Sequence, residues 1–63
     1  MLIDLEYVEV MNKVHRVAIN PSLVSSVFSR NEQEQIIEMS NGTKYTVRTR
    51  YDSVIKLLNG DKQ

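Results

Sequence analysis

A chain of 63 residues with eight basic and eight acidic side chains, one histidine and no cysteine has room for one domain, no disulfide to brace it, and no cysteine–histidine cluster to hold a metal. Its zero net charge provides no global field towards nucleic acid or an anionic membrane. With no apolar run of spanning length and no recognisable secretory leader, the expected location is the cytoplasm, without a membrane partner. A domain of this size buries only about 60% of its unfolded surface, and its core seldom supplies more than about 3–5 kcal/mol, so self-association is the remaining source of extra stability.

From Leu2 to Met11, Ile3, Leu5 and Tyr7 alternate with Asp4 and Glu6, the period of a half-buried strand. The phase then shifts to Val8 and Val10 around Glu9. Either a bulge re-aims the strand there or the two phases face different partners. Asn12 and Lys13 are a polar break, and Val14 to Ile19 reads as a second strand with His15, Val17 and Ile19 on one face, joined to the first as a hairpin. Asn20-Pro21 ends it. The stretch Ser22 to Arg30 is ambiguous: Leu23, Val24, Val27 and Phe28 are spaced like a helical stripe, but the β-branched residues and four serines favour a turn at Pro21 to Leu23 and a strand after it.

Asn31 to Glu34 is polar and turn-forming. Gln35 to Ser40 then places Ile37 and Met39 on one side and Ile36 and Glu38 on the other. Asn41-Gly42 predicts a hairpin with a type I′ turn, because both residues tolerate positive φ. Thr43 to Thr49 returns as a strand with Tyr45 and Val47 inward and Lys44, Thr46 and Arg48 outward. Thr49 and Asp52 form a predicted capping box, Tyr51, Val54, Ile55 and Leu58 a single apolar helical stripe, and Asn59-Gly60 a helix stop. The fold class expected is α+β: an antiparallel β-meander of four to five strands closed by one C-terminal α-helix, over residues 1–60, with 61–63 as a frayed tail.

No serine, cysteine or lysine has an evident base beside it, and the isolated His15 reads as a surface or packing residue. Glu32, Glu34 and Glu38 lie at a polar turn without a cleft, and the two glycines are taken up by turn and cap. The expectation is a non-enzyme without cofactor, metal or small-molecule substrate.

Two surfaces remain. Val8, Val10, Val27 and Ile36 fall on the phase opposite to the predicted core, so a helix covering one sheet face leaves them on the other for a protein partner or a second copy, unless the sheet curls to bury them. Lys44, Arg48 and Arg50, with Lys56, form a basic strip able to meet phosphates, or else a charged rim that suppresses edge pairing. The leading reading is a small regulatory or adaptor module acting through protein contacts and self-associating, in a bacterial or phage setting. The alternative is a nucleic-acid-binding, transcription-regulatory module using the basic strip.

The run Val17-Ala18-Ile19-Asn20-Pro21-Ser22-Leu23-Val24, the Asn41-Gly42 hairpin between Ile36 and Val47, and the closing segment Tyr51 to Leu58 resemble the short flagellar proteins of the FlbD or SwrD type. The acidic N-terminal strand is longer than that family's usual start. The same stretch is similar to the C-terminal half of LytTR DNA-binding domains, through His15-Arg16 before Asn20 and Val47-Arg48 before the final helix, with the His15 to Asn20 spacing one residue short. That similarity implies DNA contacts at His15, Arg16 and Arg48.

Overall fold

The computed structural model describes residues 2–60; the tail expected at 61–63 lies outside them. Five strands, β1 (Ile3–Val8), β2 (Val14–Ile19), β3 (Val24–Ser29), β4 (Gln35–Met39) and β5 (Lys44–Val47), precede one helix, α1 (Tyr51–Leu58). The α+β class, the single antiparallel sheet and the C-terminal helix are those expected. Ser22 to Arg30 resolves into a 3-10 turn at Pro21–Leu23 followed by β3, with Asn20 Oδ1 accepting from the Ser22 amide at 3.0 Å. Proline at the first position and an Asx turn before it fix that corner locally.

The strand order is β2-β1-β5-β4-β3. The N-terminal hairpin therefore returns to pair with the last strand, at Val8 and Thr46, and the sequence neighbours β2 and β3 become the two edges of the sheet. A flat sheet would hold those edges about 19 Å apart, yet the 3-10 turn between them advances only about 6 Å. The sheet must coil to bring the end of β2 towards the start of β3. The hydrogen bond from the Ser40 amide to the Leu23 carbonyl, 2.7 Å, ties the turn to the far end of β4.

Within the coil the core collects Ile3, Leu5, Ile19, Ile37, Met39, Val47 and, from the helix, Val54; Tyr7, Val17, Val24, Val27, Tyr45 and Leu58 pack against it. Ile37, on the middle of β4, has no exposed surface. Gln35 is also buried on this side, and its Oε1 accepts from the Ser29 hydroxyl at 2.6 Å, which offsets the cost of burying an amide. Tyr51, the first member of the predicted helical stripe, is 44% exposed.

Four local expectations are corrected. First, Val27 faces the core rather than the second sheet face. The β3–β4 register slips between Val24 and Ser26, and the extra residue, Ser25, puts Val24 and Val27 on the same side. Second, Val10 belongs to no strand. β1 ends at Val8, and Val10–Asn12 form a 3-10 turn in which Met11 (φ 63°) and Asn12 (φ 60°) are left-handed. Third, the Asn41-Gly42 hairpin forms without a type I′ turn, because only Gly42 has positive φ (91°). The Gly42 amide donates to the Met39 carbonyl at 2.9 Å and the Met39 amide to the Thr43 carbonyl at 2.7 Å, a three-residue loop with glycine in the bulge position. Fourth, Arg50 is the N-cap and no side chain caps the helix. The extended residue falls one position after Thr49, so Thr49 and Asp52 no longer hold capping-box spacing, and Asp52 serves the helix through its charge in the first turn. The helix stops as expected, with Gly60 at φ 66° after Asn59.

These left-handed residues give two opposite predictions. A Cβ on Gly42 would meet nothing within 4 Å, so Gly42→Ala should lower unfolding free energy by about 1 kcal/mol through backbone strain alone. Met11 carries the same strain on a side chain that is 87% exposed. Relief of that strain exceeds the entropy glycine adds to the unfolded chain, so Met11→Gly should raise stability by up to about 1 kcal/mol. Urea unfolding in dilute solution reads both.

Candidate protein-binding face

Side chains alternate across each strand, so the sheet has an outer face that α1 does not cover. Its register lines up one residue from every strand. Val14 pairs with Val8, Val8 with Thr46, Thr46 with Ile36 and Ile36 with Phe28, so the row Val14–Val8–Thr46–Ile36–Phe28 crosses the sheet from edge to edge. Val14 and Phe28 are 56% and 42% exposed; the middle three are half-buried by their neighbours. Such adjacency makes a mostly apolar stripe, interrupted at its centre by the Thr46 hydroxyl, that single exposed residues do not make.

Polar rows flank this one. On one side Lys44 stands beside Glu38, and the Ser26 hydroxyl donates to Glu38 Oε1 at 3.2 Å. On the other, Arg16 is paired with Glu6 in register, and Arg48, Glu34 and Arg30 continue the line. Arg48 Nε lies 3.3 Å from Glu34 Oε2, and Arg30 Nη1 3.9 Å from Glu34 Oε1. Glu34 also accepts from Asn31 Nδ2 at 3.3 Å. Arg48 Nη2 donates in addition to Asn12 Oδ1, which draws the β1–β2 loop onto the outer face. Between this loop and the Arg30–Glu34 corner lies a groove of about 560 Å³, with Val8 and Thr46 among its lining, Val10 and Met11 on the loop side, and two carboxylates, Glu9 and Glu34, against two guanidinium groups, Arg30 and Arg48.

The structure divides the residues expected to act at surfaces. Val8 and Ile36 sit in the outer row; Val10 stands on the loop above the same face, 83% exposed; Val27, half-buried, packs against the core on the other face. Phe28 and Val14 join them. Val14 could be placed by counting back three positions from Val17, whereas Phe28 could not, because the bulge at Ser25 reverses the count.

The basic strip is split as well. Lys44 and Arg48 share the outer face with Arg16, which lies 3.8 Å from Asp4. Arg50 is at the helix start. His15 is on the opposite side, the one that bears the core, where its ring stacks on Tyr7 with centroids 5.5 Å apart and Nε2 lies 3.2 Å from Glu9 Oε1. Tyr7 in turn meets Tyr45 edge-on at 4.8 Å. His15, Arg16 and Arg48 thus do not converge on one surface, and two of the three are held by a carboxylate other than their direct cross-strand neighbour.

Among the described residues no group of three His, Asp or Glu side chains stands close enough to hold a metal ion, and no helix is long and apolar enough to cross a membrane. Comparison with known proteins adds no relative: no family model matches the chain, and neither a curated protein nor a solved structure shows a significant match to it.

Arg48 links the loop to the sheet on this face, and its side chain is half exposed, so the link is worth little globally. Arg48→Ala should cost under about 1 kcal/mol in stability while raising the hydrogen-exchange rates of the Glu9 and Asn12 amides severalfold over those of the β1–β2 ladder. Uniform acceleration across the chain would show that Arg48 supports the whole fold instead.

Proposed function

We propose that the chain is a small non-enzymatic regulatory or adaptor module that acts through protein contacts on its outer sheet face. The observation that carries this reading is the mostly apolar row across the five strands, which α1 leaves uncovered. An interface of this type has an apolar centre and a polar rim, and the row with its two charged flanks has that layout. The ionic groups around the groove balance, so they offer no net field for an anion but can match a protein surface that alternates in sign.

The nucleic-acid reading has less support. Phosphate binding needs cations free to release counterions, whereas Arg16, Arg30 and Arg48 each lie within 4.0 Å of a carboxylate, and the cations outside such pairs among the described residues, Lys13, Lys44, Arg50 and Lys56, are spread over the β1–β2 loop, β5 and the helix with its start.

A photo-cross-linking side chain placed at Phe28 tests the proposal, with the same group at Tyr51, on the helix, as the control. In cells producing the chain, protein adducts are expected at position 28 and not at 51, and Ile36→Asp should abolish them. Adducts to nucleic acid, equal labelling at both positions, or none at 28 would overturn it.

A further inference from the structure

We infer that the partner of the outer face is a second copy of the chain, docked about a two-fold axis that runs parallel to the strands between β4 and β5. The inference rests on the protein-contact reading above and names the partner.

Three side-chain pairs straddle the seam between these strands on the outer face: Lys44 beside Glu38, Thr46 beside Ile36, and Arg48 against Glu34. A two-fold axis lying in the interface along that seam exchanges β4 with β5. Each β5 side chain of one copy then faces the β4 side chain that is its own neighbour in the other: Lys44 meets Glu38, Arg48 meets Glu34, and Thr46 meets Ile36. Because every seam pair joins opposite charges or two largely apolar groups, complementarity within the chain becomes complementarity between copies. An isologous contact requires this of its surface, since the same patch must serve both sides.

The neighbouring strands obey the same operation. β1 exchanges with β3, which puts Val8 over Phe28 and Glu6 over Arg30. The position of the axis is selective: moved by half a strand spacing onto β5, it would set Arg48 on Arg48 and Lys44 on Lys44. The loop beside β1 crosses to the β3 side of the other copy, where Val10 and Met11, the two most exposed large apolar side chains among the described residues, gain Phe28 as cover. That placement gives the left-handed Met11 a use that its own chain does not supply. Sheets packed face to face stand about 10 Å apart, enough for side chains of this size to interleave. The contact closes on itself and makes a dimer, not a fibre.

A contact confined to the strands around the seam is smaller than the ~800 Å² per partner of a standard interface, so a dissociation constant on the order of 10–100 µM is expected. Sedimentation equilibrium from about 10 to 500 µM should take the wild-type chain from its single mass of 7.3 kDa towards twice that value. Lys44→Glu alone and Glu38→Lys alone each turn two attractive contacts per dimer into repulsions and should weaken association by about tenfold or more at low salt. An equimolar mixture of the two variants should recover it. In the mixed dimer both seam contacts again join opposite charges, whereas the like-charge neighbours within each chain remain, so an effect on folding alone cannot produce the rescue. A wild-type chain that stays monomeric throughout, a dimer indifferent to either substitution, or a mixture no better than its components would overturn the inference. If the chain is monomeric while position 28 still cross-links to other proteins, the inference falls and the protein-contact reading stands.

Discussion

The short corner at Pro21–Leu23 is the constraint on which the rest of the structure depends. It joins two strands that lie at opposite edges of a five-stranded sheet, and so few residues cannot cross a flat sheet. Coiling is therefore imposed by covalent length. It turns one face of each strand inward around Ile37, and one short helix is enough to close what remains, with Val54 as its buried side chain. A flat sheet of the same strands would hold β2 and β3 too far apart for this corner to join them.

Coiling also decides what is left for function. With the inner face filled by the helix, the outer face keeps an apolar row whose ends are open, and its charges are arranged in lateral pairs. Each outward guanidinium in the described ion pairs has a carboxylate within 4.0 Å. Pairs of this exposure contribute little to stability, and their effect is to cancel the far field while leaving a short-range pattern of alternating sign. Such a surface discriminates at contact, where register matters, and attracts little at a distance. On the reading proposed above, the same pairing is what favours protein docking over phosphate binding by residues of these types.

Two left-handed positions show how differently one backbone conformation is accommodated. Gly42 takes it in a tight hairpin, where glycine carries no Cβ penalty. Met11 takes it in an exposed loop that Arg48 holds through Asn12, with nothing gained from its own side chain inside the chain. Strain retained at an exposed apolar residue, on the rim of a groove, is the kind of feature that the protein-contact reading proposed above would put to use.

The sequence by itself determined the local pieces: the hairpin at Asn41-Gly42, the corner at Asn20-Pro21, the inward alternation of Ile3, Leu5, Ile37, Met39, Tyr45 and Val47, and a C-terminal helix stopped at Asn59-Gly60. Each is written in a few adjacent residues, through turn chemistry or a period of two or 3.6. Val8, Ile36, Lys44 and Arg48 were legible as outward for the same reason. The tertiary structure decided the strand order, because pairing between β1 and β5 joins residues far apart in the chain and leaves no local mark. It decided that Val27 packs against the core and Phe28 lies on the outer face, since a one-residue slip at Ser25 reverses every side chain after it. It also decided which cations are free, because Glu34 reaches Arg48 only when β4 and β5 lie side by side. Periodicity assigns a residue to a face of its strand; only closure of the sheet sets which residues meet across it.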